Sequence, residues 1–175
     1  MMTMSAPPSL TARLDMNRCM KMCLVHDVAE SLVGDITPMD GISKPEKNRR
    51  ETAVTNYFAK TLLGSVSGTS GEELAAIWQE YEDHKTPESQ FVADLDKVEL
   101  LLQMVEYEVR GQGKLDLGEL TYVAAKVDLP ETKAWMEDIM NERKAFWAGK
   151  GVVPKAAQNL SADTKAKQDE YYAEP

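Results

Sequence analysis

The stretch Leu24-Val25-His26-Asp27-Val28-Ala29-Glu30-Ser31-Leu32-Val33-Gly34-Asp35 sets a histidine beside an aspartate inside an apolar run that ends on a glycine. Its apolar residues recur at the helical period, so it reads as the second half of a helix running from about Thr11 to Leu32. Leu14, Met16, Cys19, Met20, Cys23 and Leu24 supply the apolar side of that helix, and Gly34 stops it by taking a left-handed backbone. A carboxylate in such surroundings costs several kcal/mol unless a charge or a hydrogen bond compensates it, and a divalent metal would do so. Glu30, four residues after His26, is expected on the same helical face, with Asp35 coming off the loop beyond the glycine. An imidazole and carboxylates converging in this way form a hard nitrogen and oxygen donor set. It suits Mn, Fe, Co, Mg or Zn and does not suit copper or soft-metal chemistry.

Outward from this stretch the helical period persists and strand-like alternation is absent, which predicts an all-α domain. Ser43 and Glu46 have the form of a capping box for a helix carrying Val54, Tyr57, Phe58 and Leu62 to a stop at Gly64. Gly64 to Gly71 reads as a flexible connection. Leu74, Ile77, Trp78 and Tyr81 then repeat at i, i+3, i+4 and i+7. Thr86 and Pro87 open a helix through Phe91, Leu95, Val98, Leu102 and Val105 to a stop near Gly111, and a loop follows. The last helix starts near Pro130, buries Trp135, Ile139, Met140 and Phe146, and ends at Gly149 and Gly151. Residues 1–150 are expected to form the domain, and 151–175, with little to bury, a disordered tail.

Composition narrows the function classes. With 20 Lys plus Arg against 29 Asp plus Glu, the net charge of -9 disfavours nucleic acid or an anionic membrane as partner. His26 and His84, with Cys19 and Cys23, are too few and too poorly placed for a structural zinc site. The cysteines read as reduced core residues of a reducing compartment. Neither a signal peptide nor a run of about eighteen apolar residues is present.

A second acid joins the first stretch. Asp96, in Phe91-Val92-Ala93-Asp94-Leu95-Asp96-Lys97-Val98-Glu99, lies beside the apolar stripe of Val92, Leu95, Val98 and Leu102, so its carboxylate is expected to point toward the core. Glu99, Gln103 and Glu106 continue the stripe, either as support for a metal or as a solvated face. His84, in a polar helix end and turn, reads as a surface residue.

His26-Asp27, Glu30, Gly34-Asp35 and the distant Leu95-Asp96 resemble the HD-domain phosphohydrolases. Adding Ile36-Thr37-Pro38, Lys47-Asn48-Arg49-Arg50-Glu51 and Glu106-Tyr107-Glu108, the chain from about Leu10 to Lys150 more closely resembles the HD-domain 5'-deoxynucleotidases. The resemblance implies an HD-type helical bundle and a divalent cation, with Mn, Co or Mg ahead of Zn and Fe. It implies His26, Asp27 and Asp96 as metal ligands and Glu30 and Asp35 as catalytic acids. Glu30, Asp35 and the backbone carbonyl of Ile36 are implied to hold a second cation. The family's first metal ligand is a histidine upstream of the His-Asp pair, and no histidine precedes His26. The chain is therefore expected to be an N-terminally shortened form, lacking helices of the family bundle and impaired in activity relative to a longer form.

The reaction class follows from these parts. A divalent cation acidifies water and neutralises phosphoryl oxygens, which leads to phosphomonoester hydrolysis without a covalent enzyme intermediate. Glu30 and Asp35 would orient the water or protonate the departing 5' oxygen, and spacing does not say which does which. Arg49 and Arg50 are candidate contacts for the phosphate, or helix arginines pairing with Glu46 or Glu51. The resemblance implies a deoxyribonucleoside 5'-monophosphate as the small-molecule substrate, a homodimer, and a cytoplasmic or also nuclear setting. The competing readings are a non-catalytic HD-fold protein that binds a nucleotide or a partner helix, and a hydrolase of nucleoside triphosphates, cyclic nucleotides or guanosine tetraphosphate.

Overall fold

The computed structural model describes residues 1–66, 70–156, 164, 166 and 167. Among them every regular element is helical: α1 (Pro8–Thr11), α2 (Met16–Val25), α3 (Glu30–Val33), α4 (Lys44–Tyr57), α5 (Ser70–Asp83), α6 (Pro87–Arg110) and α7 (Pro130–Lys150). Short 3₁₀ segments occupy Met2–Ser5, Pro38–Asp40 and Gly118–Lys126, and a π turn occupies Phe58–Leu62. None of these helices is long and apolar enough to cross a membrane. The chain divides into two compact units, Met1–Met16 with Gln90–Leu160, and Asn17–Ser89 with Ser161–Pro175. Most of the expected tail, and part of the expected Gly64 to Gly71 connection, lies outside the described residues.

In the unit built around Asn17–Ser89, α5 buries Ile77 and Trp78 and half-buries Leu74 and Tyr81, the four positions its periodicity picks out. Ser43 is the N-cap of α4, but its side chain makes no capping bond, so the expected capping box does not form there. Glu46 instead accepts from Arg49 and Arg50. A reciprocal box does form at the start of α6, where the Ser89 amide donates to Thr86 Oγ1 at 3.1 Å and the Thr86 amide to Ser89 Oγ at 3.2 Å. The expected single helix from Thr11 to Leu32 is instead two pieces, α2 and α3, with α1 ending at its expected start. Cys19 and Met22 are the buried residues of α2, while Leu24 is exposed.

In the unit containing Gln90–Leu160, the core joins Leu101, Met104 and Val105 of α6 to Val123, with Met136, Ile139 and Met140 of α7 packed against it. Gly118–Lys126, expected as loop, is a 3₁₀ segment that contributes Val123 and half-buried Leu120 and Tyr122. Three-residue turns present no 3.6-residue pattern, so periodicity passes over them. Beneath this core lies a buried charge network. Glu108 and Arg143 are 0% and 5% exposed and meet in a fork, with Nε to Oε2 at 2.9 Å and an η nitrogen to Oε1 at 3.0 Å. Trp147 Nε1 and the Leu117 amide also donate to Glu108, at 2.7 and 2.8 Å. Asp116 accepts from Arg143 and from the amide of Lys155, and the Lys155 carbonyl accepts from Arg143. A side chain at Gly118 would put its Cβ 2.0 Å from that carbonyl, so only glycine admits this approach. Lys155 is thus held in place, although it falls in the segment expected to be disordered.

In the first half of α6 the buried acid is Asp94, not Asp96. Its carboxylate accepts from the amides of Asp128 and Leu129, at 3.1 and 2.8 Å, and from Thr132 Oγ1 at 2.6 Å, closing the first turn of α7. Orphaning buried donors costs about 1–3 kcal/mol each. Asp94→Ala is therefore expected to lower stability by roughly 3 kcal/mol, read as a lower urea midpoint with an unchanged m-value.

Candidate active site

The decisive local event is the end of α2. The Cys23 carbonyl, which a continuing α-helix would pair with the Asp27 amide, lies 3.1 Å from His26 Nδ1. Beyond it the amides of Val28, Glu30, Ser31 and Leu32 bond to carbonyls three residues back, and Ser31 Oγ also takes the Val28 carbonyl. Side chains that compete for backbone acceptors in this way open a helix. The backbone therefore turns between His26 and Glu30, and the expectation that Glu30 shares a continuous helical face with His26 does not hold. Gly34 then ends α3 at a φ of 78°, as the sequence predicts, with Asp35 exposed and Ile36 buried just after it.

This turn fixes the chemistry of the imidazole. A carbonyl oxygen only accepts, so Nδ1 carries a proton, and in the neutral ring Nε2 presents its lone pair. Nε2 lies 3.1 Å from Asp27 Oδ2. Two electron-rich atoms this close need a proton or a cation between them. A ring nitrogen committed to a backbone carbonyl is also the usual outer support of a metal-binding histidine. The imidazole is 14% exposed and the Asp27 carboxylate 58%, and Tyr81 of α5 packs on the ring with centroids 4.9 Å apart. These N and O donors fit a hard or borderline divalent ion.

Around this pair the same unit collects further acids. Burial, followed by the charges of Asp27 and Asp35, pushes the Glu30 carboxyl above its ordinary range. Burial likewise raises Glu82, which accepts from Asn48 Nδ2 at 3.3 Å. Glu51, only 4% exposed, is pushed up to about 7 by burial. Lys47 Nζ lies 3.6 Å from both Glu30 Oε1 and Glu51 Oε1. A carboxyl raised in the fold keeps a proton that the unfolded chain has released. Stability is then fully present below pH 4.5 and falls as pH rises from there to about 7. For Glu51 the loss is on the order of 3 kcal/mol. Urea unfolding at pH 5 and pH 8 is expected to show this decline, and Glu51→Gln to reduce it.

Arg49 and Arg50 both close on Glu46, with Arg49 Nε and Arg50 Nε at 2.7 and 2.8 Å, and they lower its carboxyl to about 2. That is the helix-pairing arrangement. Asp96 is exposed on α6, although its place beside the apolar stripe predicts a side chain turned inward. The buried side of this turn is the one where Asp94 finds the amides of Asp128 and Leu129. Glu99, Gln103 and Glu106 are exposed, with Gln103 bonded to Glu99 and Glu106 paired with Arg110. His84 is exposed at a positive φ just past α5. Sequence reasoning missed Tyr81 as the neighbour of His26, and Glu82 and Lys47 as members of the cluster. The one available signal was the i, i+4 spacing of Lys47 and Glu51.

A family model described as HD domain matches residues 1–135. The chain belongs to the HD domain family. This HD domain is 40% identical over 135 residues to the 5'-deoxynucleotidase hdd1 of Schizosaccharomyces pombe, an alignment covering 77% of the chain and 68% of the relative. It is 38% identical over 134 residues to the 5'-deoxynucleotidase YGK1 of Saccharomyces cerevisiae, covering 77% of the chain and 62% of the relative. Among solved structures, the HD domain-containing protein YGK1 superposes with a TM-score of 0.68 at 31% identity, over 84% of this chain and 73% of that one. The HD domain chain thus spans about two thirds of the length of these curated relatives.

Proposed function

We propose that this HD domain protein is a metal-dependent 5'-deoxynucleotidase, hydrolysing deoxyribonucleoside 5'-monophosphates to deoxynucleoside and phosphate. The observation that carries the reading is His26, its Nδ1 committed to the Cys23 carbonyl and its Nε2 aimed at the Asp27 carboxylate, within the stretch matched to the family. The names of the relatives support the substrate class. His26, Asp27 and Asp96 would hold the ion, offering one imidazole nitrogen and two carboxylate oxygens. The ion is Mn, Co or Mg in this reading, and the protein a cytoplasmic homodimer.

A divalent cation there would supply charge neutralisation for the phosphoryl oxygens and acidify water. The remaining work falls to the chain. Glu30 and Asp35 orient the attacking water and hand a proton to the departing 5' oxygen, with the Ile36 carbonyl and both acids offering oxygens to a second cation. Arg49 and Arg50 reach a phosphate only by leaving Glu46.

A substrate panel tests the reading. Inorganic phosphate released from dAMP, dGMP and dTMP, with little from AMP, is the expected result. Release of pyrophosphate or triphosphate from nucleoside triphosphates would replace the proposed substrate class. Tight nucleotide binding without turnover would make the protein a binding module.

A further inference from the structure

Lys47 is a cation of α4 set among the acids of the candidate site, 3.6 Å from both Glu30 and Glu51. Arg49 and Arg50, close to it in sequence, are both taken by Glu46. The ammonium lies 3.6 Å from one oxygen of Glu30 on α3 and 3.6 Å from one oxygen of Glu51, one turn further along its own helix. Glu51 is buried and Lys47 only 24% exposed, so the stem is fixed by packing and the charge is poorly screened by water. α3 is a single short turn with no side-chain cap, entered through the irregular backbone after His26. It packs against α4. Such a turn does not by itself hold a glutamate in one orientation, whereas a bridge to a long helix does.

We propose that Lys47 is a positioning residue: anchored on Glu51, its ammonium holds the Glu30 carboxylate in the orientation that water activation or proton transfer requires. The inference rests on the reading of Glu30 as a catalytic acid. It assigns no contact between Lys47 and the phosphate.

The test is a kinetic double-mutant cycle on the full chain with dAMP and Mn, using Lys47→Met, Lys47→Arg, Glu30→Gln and the Lys47→Met/Glu30→Gln double variant. Misplacing a reacting group by about 1 Å costs up to roughly a hundred-fold. Lys47→Met is therefore expected to cut kcat about ten- to a hundred-fold with KM within about two-fold, and Lys47→Arg to restore part of the loss. In the Glu30→Gln background, Lys47→Met is expected to change kcat by less than about two-fold, because the group it positions is already gone. Equal losses in both backgrounds would overturn the proposal, as would a raised KM at unchanged kcat, which marks a substrate contact. If the unmodified chain releases no phosphate, the functional reading fails and a second measurement decides the contact itself. The Lys47 ¹⁵Nζ resonance, assigned by its absence in Lys47→Met, is expected to shift in Glu30→Gln. An unmoved resonance would overturn the bridge.

Discussion

His26→Ala is expected to remove tightly bound divalent metal and to reduce phosphate release from dAMP by at least about a hundred-fold. The magnitude follows from the position of the ring. Loss of an outer partner that merely supports a metal ligand costs about 10–100-fold in affinity or activity. His26 supplies the only nitrogen among the proposed donors, so its removal costs more than that. It would also leave Asp27, with Glu30 and Asp35 nearby, without the ion proposed to offset their charge. The ring, 14% exposed, packs on Tyr81 at the end of α2, outside the long helices, so the variant should keep its helical circular dichroism. Intact activity in this variant would remove His26 from the mechanism.

The second large effect concerns folding alone. Arg143→Met is expected to cost about 3–5 kcal/mol, the range for breaking a buried ion pair and leaving one charge uncompensated. Glu108 would lose its fork partner while still buried under Trp147 and the Leu117 amide, and Asp116 and the Lys155 carbonyl would each lose the bond from Arg143. A domain stable by about 5–15 kcal/mol would lose much of its margin. The paired variant Arg143→Met/Glu108→Leu should recover much of the loss, because removing both charges removes the desolvation penalty. Urea unfolding measures both. A single variant within about 0.5 kcal/mol of the unmodified chain would show the network to be relaxed or hydrated.

The long elements were legible in the sequence because periodicity and punctuation agree. α5 reads from Leu74, Ile77, Trp78 and Tyr81, α6 opens at Thr86-Pro87, and α7 runs from Pro130 to the positive-φ Gly151. What escaped was set by hydrogen bonds that no pattern of apolar residues encodes. The break after α2 comes from His26 Nδ1 taking the Cys23 carbonyl. The choice of Asp94 over Asp96 as the buried acid comes from amides at Asp128 and Leu129, more than thirty residues away. Charge pairing was equally hidden. Glu46 reads as a capping-box residue and instead holds two arginines, and Lys47, quoted only as part of a motif, joins Glu30 to Glu51. The histidine-aspartate pair was legible because a carboxylate beside a histidine in an apolar run demands compensation. Its local geometry shows the two side chains facing each other.

In the proposed mechanism, His26, Asp27 and Asp96 hold a divalent ion on which phosphomonoester hydrolysis depends. The most direct measurement strips the full chain with chelator, titrates Mn back, and follows bound metal by elemental analysis together with phosphate released from dAMP. Metal binding and activity are expected to rise together, and Asp96→Ala to lower both. Phosphate release that persists in the stripped chain, or metal binding unaffected by Asp96→Ala, would contradict that mechanism.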